Sequence, residues 1–191
     1  MTVKQFLQSK IMKCILVLLC IALVSGGLLA ILNDLWAVSD EEIVNRAIKS
    51  LCGDGITLKE TITTETVQYR NGEVNEVYLL SDGNYLVKAT GYHGFHEGNV
   101  SVYVLAKFNN GTFENIEKVS IASYSSSQTL MSKFNEDALA KFANDTNTVV
   151  SGASSSTNTV ITGASYSSKA VGNGVASAKY YITHDLKKEA V

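Results

Sequence analysis

Hydroxyls and small side chains crowd one short run, Thr162-Gly163-Ala164-Ser165-Tyr166-Ser167-Ser168. The β-branched pair Val160 and Ile161 leads into it, and Val171, Val175, Ala178 and Ile182 come after it at helical spacing. Gly163 and Ala164 let the backbone come close to a ligand. The first N–H groups of the helix beyond the run lack intrahelical partners and point outward at the favourable end of its dipole for an anion. A phosphate fits such a junction, with Ser167 or Ser168 capping the helix or donating to the phosphate oxygens. The same residues also make an ordinary turn and cap, and spacing alone leaves both readings open.

The longer stretch Ile161-Thr162-Gly163-Ala164-Ser165-Tyr166-Ser167-Ser168-Lys169-Ala170-Val171 resembles the S/T-G-A-T-x-S-S-x-A-V signature of the FMN-binding domain family. That family includes flavin-bearing subunits of the Rnf electron-transport complex and of the sodium-pumping NADH:quinone reductase. The resemblance implies covalent FMN, esterified through its phosphate to Ser165 by a separate flavin transferase, with Thr162, Gly163, Ala164, Ser167 and Ser168 shaping the phosphate site. Serine stands at the acceptor position where the family more often has threonine, and Thr159 stands where an acidic residue commonly precedes the signature. The reacting oxygen is the same. Gly91-Tyr92-His93-Gly94 is similar to the family's G-Y-x-G element. Residues 124–133 take the place of its H-x-E-T-P-G-L-G loop beside the flavin, keeping Leu130 and Lys133 but lacking the Glu, Pro and Gly residues. The resemblance thereby adds Tyr92, Leu130 and Lys133 to the cofactor site. An electron carrier of this kind needs no residue as general acid or base.

The framework around these residues reads as an α+β domain. Residues 39–51 open with Ser39-Asp40-Glu41-Glu42, a capping-box pattern, and put Ile43, Ala47, Ile48 and Leu51 on one helical face. Strands are expected at 74–80, 85–90, 99–108 and 113–122, joined by turns at Arg70-Asn71-Gly72, Asp82-Gly83-Asn84 and Asn109-Asn110-Gly111. Short connections of this kind make an antiparallel meander. A short helix capped by Asn135 presents Ala138, Leu139 and Phe142, and the last helix is expected over 167–181 with a frayed tail from Asp185 onward. Gly172 and Gly174 weaken that helix by about 1 kcal/mol each relative to alanine, which close packing on the sheet would explain.

Before all of this lie 19 uncharged residues, 14–32, which as a helix extend about 28 Å and match the ~30 Å hydrocarbon core. The run is longer than a signal-peptide core, so a retained anchor is expected. Trp36 stands where an interfacial aromatic would. Lys4, Lys10 and Lys13 precede the span and Asp34, Asp40, Glu41 and Glu42 come after it, which orients the N-terminus to the cytoplasm. The expected organisation is a cytoplasmic N-terminus at 1–13, a transmembrane helix at 14–33, a linker helix at 34–52, an extracytoplasmic FMN-binding domain at 53–185 and a tail at 186–191. Removing the three leading lysines from the net charge of -2 leaves -5, so the domain has no basic surface for nucleic acid. Cys14 and Cys20 fall in the apolar run and Cys52 beyond it, so no disulfide is expected in the domain. His93 and His96 have ligand-like spacing but no Cys/His cluster to join.

A near copy of the main run, Ser151-Gly152-Ala153-Ser154, precedes it by eleven residues in a Ser/Thr/Asn-rich stretch with no apolar periodicity after it. It reads as a polar loop, or as a second flavin acceptor. The whole chain contains no proline. The function expected is that of a membrane-anchored electron carrier within an Rnf-type ion-translocating complex, with the other membrane subunits and the flavin transferase as partners. The alternatives are a free-standing extracellular flavoprotein and a non-redox, membrane-anchored interaction domain.

Overall fold

The computed structural model describes residues 10–36, 39–63, 65–145, 149–151, 154–156 and 159–186. Two compact units divide the chain, Met1–Ile43 and Val44–Val191. In the first, helix α1 runs Lys10–Trp36. Its segment Met12–Leu32 is 21 residues long, and none of it is buried inside the protein. At 1.5 Å per residue it reaches about 32 Å, long and apolar enough to cross a membrane. A signal sequence near an N-terminus passes the same test.

Helix α2, Asp40–Cys52, starts as its sequence dictates, with Ser39 Oγ accepting from the Glu42 N–H at 3.2 Å. Its inward face is Val44, Ile48 and Leu51, all buried, while Ile43 is 45 % exposed. Ile48 and Leu51 face inward as expected and Ala47 packs beside them, while at the first turn Val44 takes the inward place expected for Ile43. It packs on Tyr78, Leu80, Leu86, Tyr103 and Leu105 of the sheet, so residues 44–52 belong to the core of the domain and are not a linker.

The second unit is built on an antiparallel sheet of strands β1 (Leu58–Thr63), β2 (Val67–Tyr69), β3 (Gly72–Leu80), β4 (Tyr85–Gly91), β5 (Val100–Asn109) and β6 (Thr112–Tyr124). The order is β1-β3-β4-β5-β6, with β2 paired to β3 beyond the end of β1. The meander expected from the turn chemistry is present. Asn110 and Gly111 have φ of 50° and 75°, the left-handed pair that a two-residue hairpin requires, and Asn109 pairs with Thr112 across it. The additions are β1 and β2, both of which pair with β3 and extend the sheet at that edge.

Opposite α2, the other sheet face carries Val74, Val77, Val87, Ala89, Val102 and Val104, all fully buried. Two helices contribute to the same core. Short α3, Glu136–Ala143, is capped by Asn135 as its sequence predicts. The long C-terminal helix α4, Ser165–Tyr180, continues as a π-helical turn, Tyr181–Asp185. Each such buried aliphatic side chain contributes about 1.5–3 kcal/mol. Helix α4 lies unusually close to β4: a Cβ added to Gly91 would stand 1.9 Å from the Ala170 carbonyl oxygen and 2.4 Å from the Gly174 nitrogen. That contact is backbone on backbone, and it gives Gly174 the packing reason its helix cost demands.

The frayed tail is corrected at its start. Tyr69 Oη donates to Asp185 Oδ2 at 2.7 Å, and Leu186 is buried, so the helix end is tied to β2; residues 187–191 lie outside the described residues. The Ser/Thr-rich stretch forms a small antiparallel pair, β7 (Val149–Ser151) with β8 (Ser154–Ser156), Ser151 pairing with Ser154. Its Gly152 and Ala153 lie outside the described residues.

Candidate functional site

Residues 161–164 form a β-turn closed by the Ala164 N–H on the Ile161 carbonyl at 2.9 Å. Gly163 holds φ of +75° at its third position, the conformation a type II turn reserves for glycine. Lys133 Nζ lies against this turn, donating to the Thr162 carbonyl at 3.3 Å, and would stand 2.7 Å from a Cβ at Gly163. A side chain at this position is thus opposed by the backbone conformation, while the flexible lysine end could move aside.

Helix α4 begins directly on this turn. Ala164 is its N-cap, with no side-chain capping bond, and the Ser168 N–H makes the first helical bond, to Ala164 O at 2.8 Å. The N–H groups of Ser165, Tyr166 and Ser167 therefore precede the hydrogen-bonded ladder. Capping by Ser167 or Ser168 is not made, because both hydroxyls are engaged inward. Ser168 Oγ accepts from the Ile161 N–H and donates to Ala164 O, each at 2.9 Å. Ser167 Oγ donates to Gln128 Oε1 at 2.7 Å. Both serines are buried, whereas Ser165 is exposed at the first helical position.

Beside Ser165 opens a cavity of about 230 Å³, lined by residues that include Phe95, Thr129, Leu130, Gly163, Ala164 and Tyr166. Its rim is apolar and accessible, with Phe95 43 %, Leu130 41 % and Tyr166 63 % exposed, and the Phe95 and Tyr166 rings 6.1 Å apart. The chemistry of this set suits a phosphorylated planar ring: a free hydroxyl and unpaired N–H groups at one end, aromatic and aliphatic surface at the other.

Of the residues singled out in sequence, Ser165, Gly163, Ala164, Ser167 and Leu130 meet at this cavity. Thr162 and Lys133 line an adjoining open groove with Val160 and Ile161, and Ser168 braces the turn from beneath. Tyr92 stands apart from the cavity lining. Its hydroxyl donates to Glu73 Oε2 at 2.6 Å, and its carbonyl accepts from Asn173 Nδ2 of α4 at 2.8 Å. Burial and the Glu73 carboxylate push the Tyr92 hydroxyl up to about 12. Burial also works to raise Glu73, but hydrogen bonds from Tyr92, Asn75 and Gln68 outweigh it and hold the carboxyl below its ordinary range. Tyr166 stands in the run without an assigned role, and Phe95 and Gln128 are not among the site residues expected from sequence. Phe95 sits between histidines in a loop, and Gln128 is one amide in a serine-rich segment, so neither carries a periodic signal.

Comparison of the chain with protein-family models, curated proteins and solved structures finds no match.

Proposed function

We propose that this protein is a membrane-anchored electron carrier that holds FMN through a phosphoester at Ser165, as a subunit of an Rnf-type ion-translocating electron-transport complex. One observation supports this above the others. The run resembling the family signature puts an exposed serine at the first position of a packed helix, beside an open cavity rimmed by two aromatic rings and a leucine.

Bound flavin would supply the redox chemistry, and the chain its position and surroundings. Ser165 Oγ would hold the flavin phosphate as an ester made by the transferase. The N–H groups of residues 165–167 would offer donors to the phosphate charge, and Gly163, without a side chain, would leave the turn open to its approach. Phe95, Leu130 and Tyr166 offer apolar surface that excludes water from one side of a planar ring. The ester prevents loss of the cofactor to an open aqueous compartment.

The apolar run 14–32 of helix α1 serves as the anchor in this reading, with Lys4, Lys10 and Lys13 before that run in the cytoplasm and the domain outside. Protease added to right-side-out vesicles should digest the domain and spare the N-terminus; protection of the whole chain would overturn the orientation.

The deciding experiment is co-expression of the full chain with a flavin transferase and purification in detergent. A flavin absorption spectrum, and fluorescence that stays with the chain on a denaturing gel, are expected. A colourless chain without adduct would instead support the membrane-anchored interaction domain, while a labelled chain that never co-purifies with other membrane subunits would support the free-standing flavoprotein.

A further inference from the structure

The wall of the cavity that carries Phe95 is a loop in an unusual conformation. His93, His96 and Glu97 all have left-handed φ, at 64°, 51° and 54°, a region that non-glycine residues enter at a cost. The loop closes on itself through the Gly94 N–H to Gly98 O at 2.8 Å and the Gly98 N–H to Phe95 O at 3.0 Å. What holds it against the rest of the domain is Gln128. That side chain is only 1 % exposed, and its amide reaches in two directions. Nε2 donates to the Phe95 carbonyl at 3.0 Å, and Oε1 accepts from Ser167 Oγ of α4 at 2.7 Å. The fit is tight, since a Cβ on Gly94 would lie 2.6 Å from Nε2, and one on Gly98 2.5 Å from it.

One buried amide thus joins the two walls of the cavity, the start of α4 and the loop presenting Phe95. A glutamine is suited to this because it offers a donor and an acceptor on opposite sides of one plane. A buried pair of this kind is costly to leave half-made. We infer that Gln128 is the positioning residue of this site, fixing the Phe95 loop against the α4 N-terminus and thereby the surroundings of an aromatic group held at Ser165. The part concerning the bound group rests on the flavin reading above; the part concerning the loop does not.

The test uses the full chain in detergent, co-expressed with a flavin transferase, in three variants. Gln128→Glu keeps the acceptor for Ser167 but sets a carboxylate against the Phe95 carbonyl. Gln128→Leu removes both arms, and Ser167→Ala removes the arm to α4. Amide hydrogen exchange in residues 93–98 should rise about tenfold in both Gln128 variants, the effect of losing one buried hydrogen bond. Exchange in β3 should stay unchanged, as a control for folding. Covalent labelling should persist in Gln128→Glu, while the emission or visible circular dichroism of the flavin shifts. Exchange in 93–98 that stays within twofold of wild type in both Gln128 variants would overturn the proposal. So would faster exchange with an unaltered flavin signal, which would mean a structural part only. Faster exchange in a chain whose wild type carries no flavin would support the strut and defeat the electron-carrier reading.

Discussion

Thr162-Gly163-Ala164-Ser165 and Ser151-Gly152-Ala153-Ser154 share a succession of hydroxyl, glycine, alanine and serine, yet the chain uses them differently. Ser165 opens a helix of sixteen residues, whereas Ser151 ends one short strand and Ser154 begins the next. The difference lies in the residues downstream of each run. After Ser165 come Ala170, Val171, Val175 and Ala178, all buried against the sheet, which commit the segment to a helix. After Ser154 come Ser155, Ser156, Thr157 and Asn158, a sequence with no apolar stripe to bury, and Ser154–Ser156 pairs as a strand. A four-residue run thus has little meaning as an anion site until a packed helix stands behind it.

The largest expected effect is on Ser165, the proposed acceptor. Ser165→Ala should abolish covalent flavin fluorescence on a denaturing gel, Ser154→Ala should leave it intact, and Ser165→Thr should keep it, the reacting oxygen being retained. Peptide mass mapping that finds the adduct on the Ser154 peptide would reverse the comparison.

A second expectation concerns the packing behind the C-terminal run. Gly91→Val forces a side chain into the Ala170 backbone, which should cost at least the 1–3 kcal/mol typical of overpacking, lower the urea midpoint and reduce labelling at Ser165. Unchanged stability would show that α4 can leave the strand without consequence, and the contrast between the two runs would lose its cause.

The other end of α4 should matter to stability more than to labelling. Tyr69→Phe deletes the bond to Asp185 and should cost about 1–2 kcal/mol, read from the same urea titration, with labelling retained. Burial and the Asp185 carboxylate push the Tyr69 hydroxyl well above the usual tyrosine range, so this contact should persist through any mildly alkaline assay.

The smallest effect is on acid stability. Glu73 is held below its ordinary 4.5 in the folded chain, so its contribution is fully present above pH 4.5 and is lost as pH falls through the lower folded value. Glu73→Gln should therefore flatten the decline of the urea midpoint below pH 4.5. The change should be small, because the carboxylate is partly solvated and screened. A steeper decline in the variant would contradict the sign.

Much of the fold was legible because local physics decides it. The apolar run of α1, the capping residues Ser39 and Asn135, and the Asn110-Gly111 turn each act within a few residues, where side-chain chemistry and backbone preference settle the outcome. The helical period after Ser165 acts over a similarly short range. Long-range choices were not legible in this way. That β1 returns to β3, that Val44 rather than Ile43 faces inward and that Asp185 is tied to Tyr69 all depend on which surfaces meet. The same holds at the site. The types and order of residues 162–168 determined a turn and a helix start, but only packing turned Ser167 and Ser168 inward and left Ser165 in solvent. Gln128 and Phe95 joined the site from 37 and 70 residues earlier in the chain, through a buried amide whose value lies in satisfying two partners at once, and no periodicity or composition records such a bond before the chain has folded.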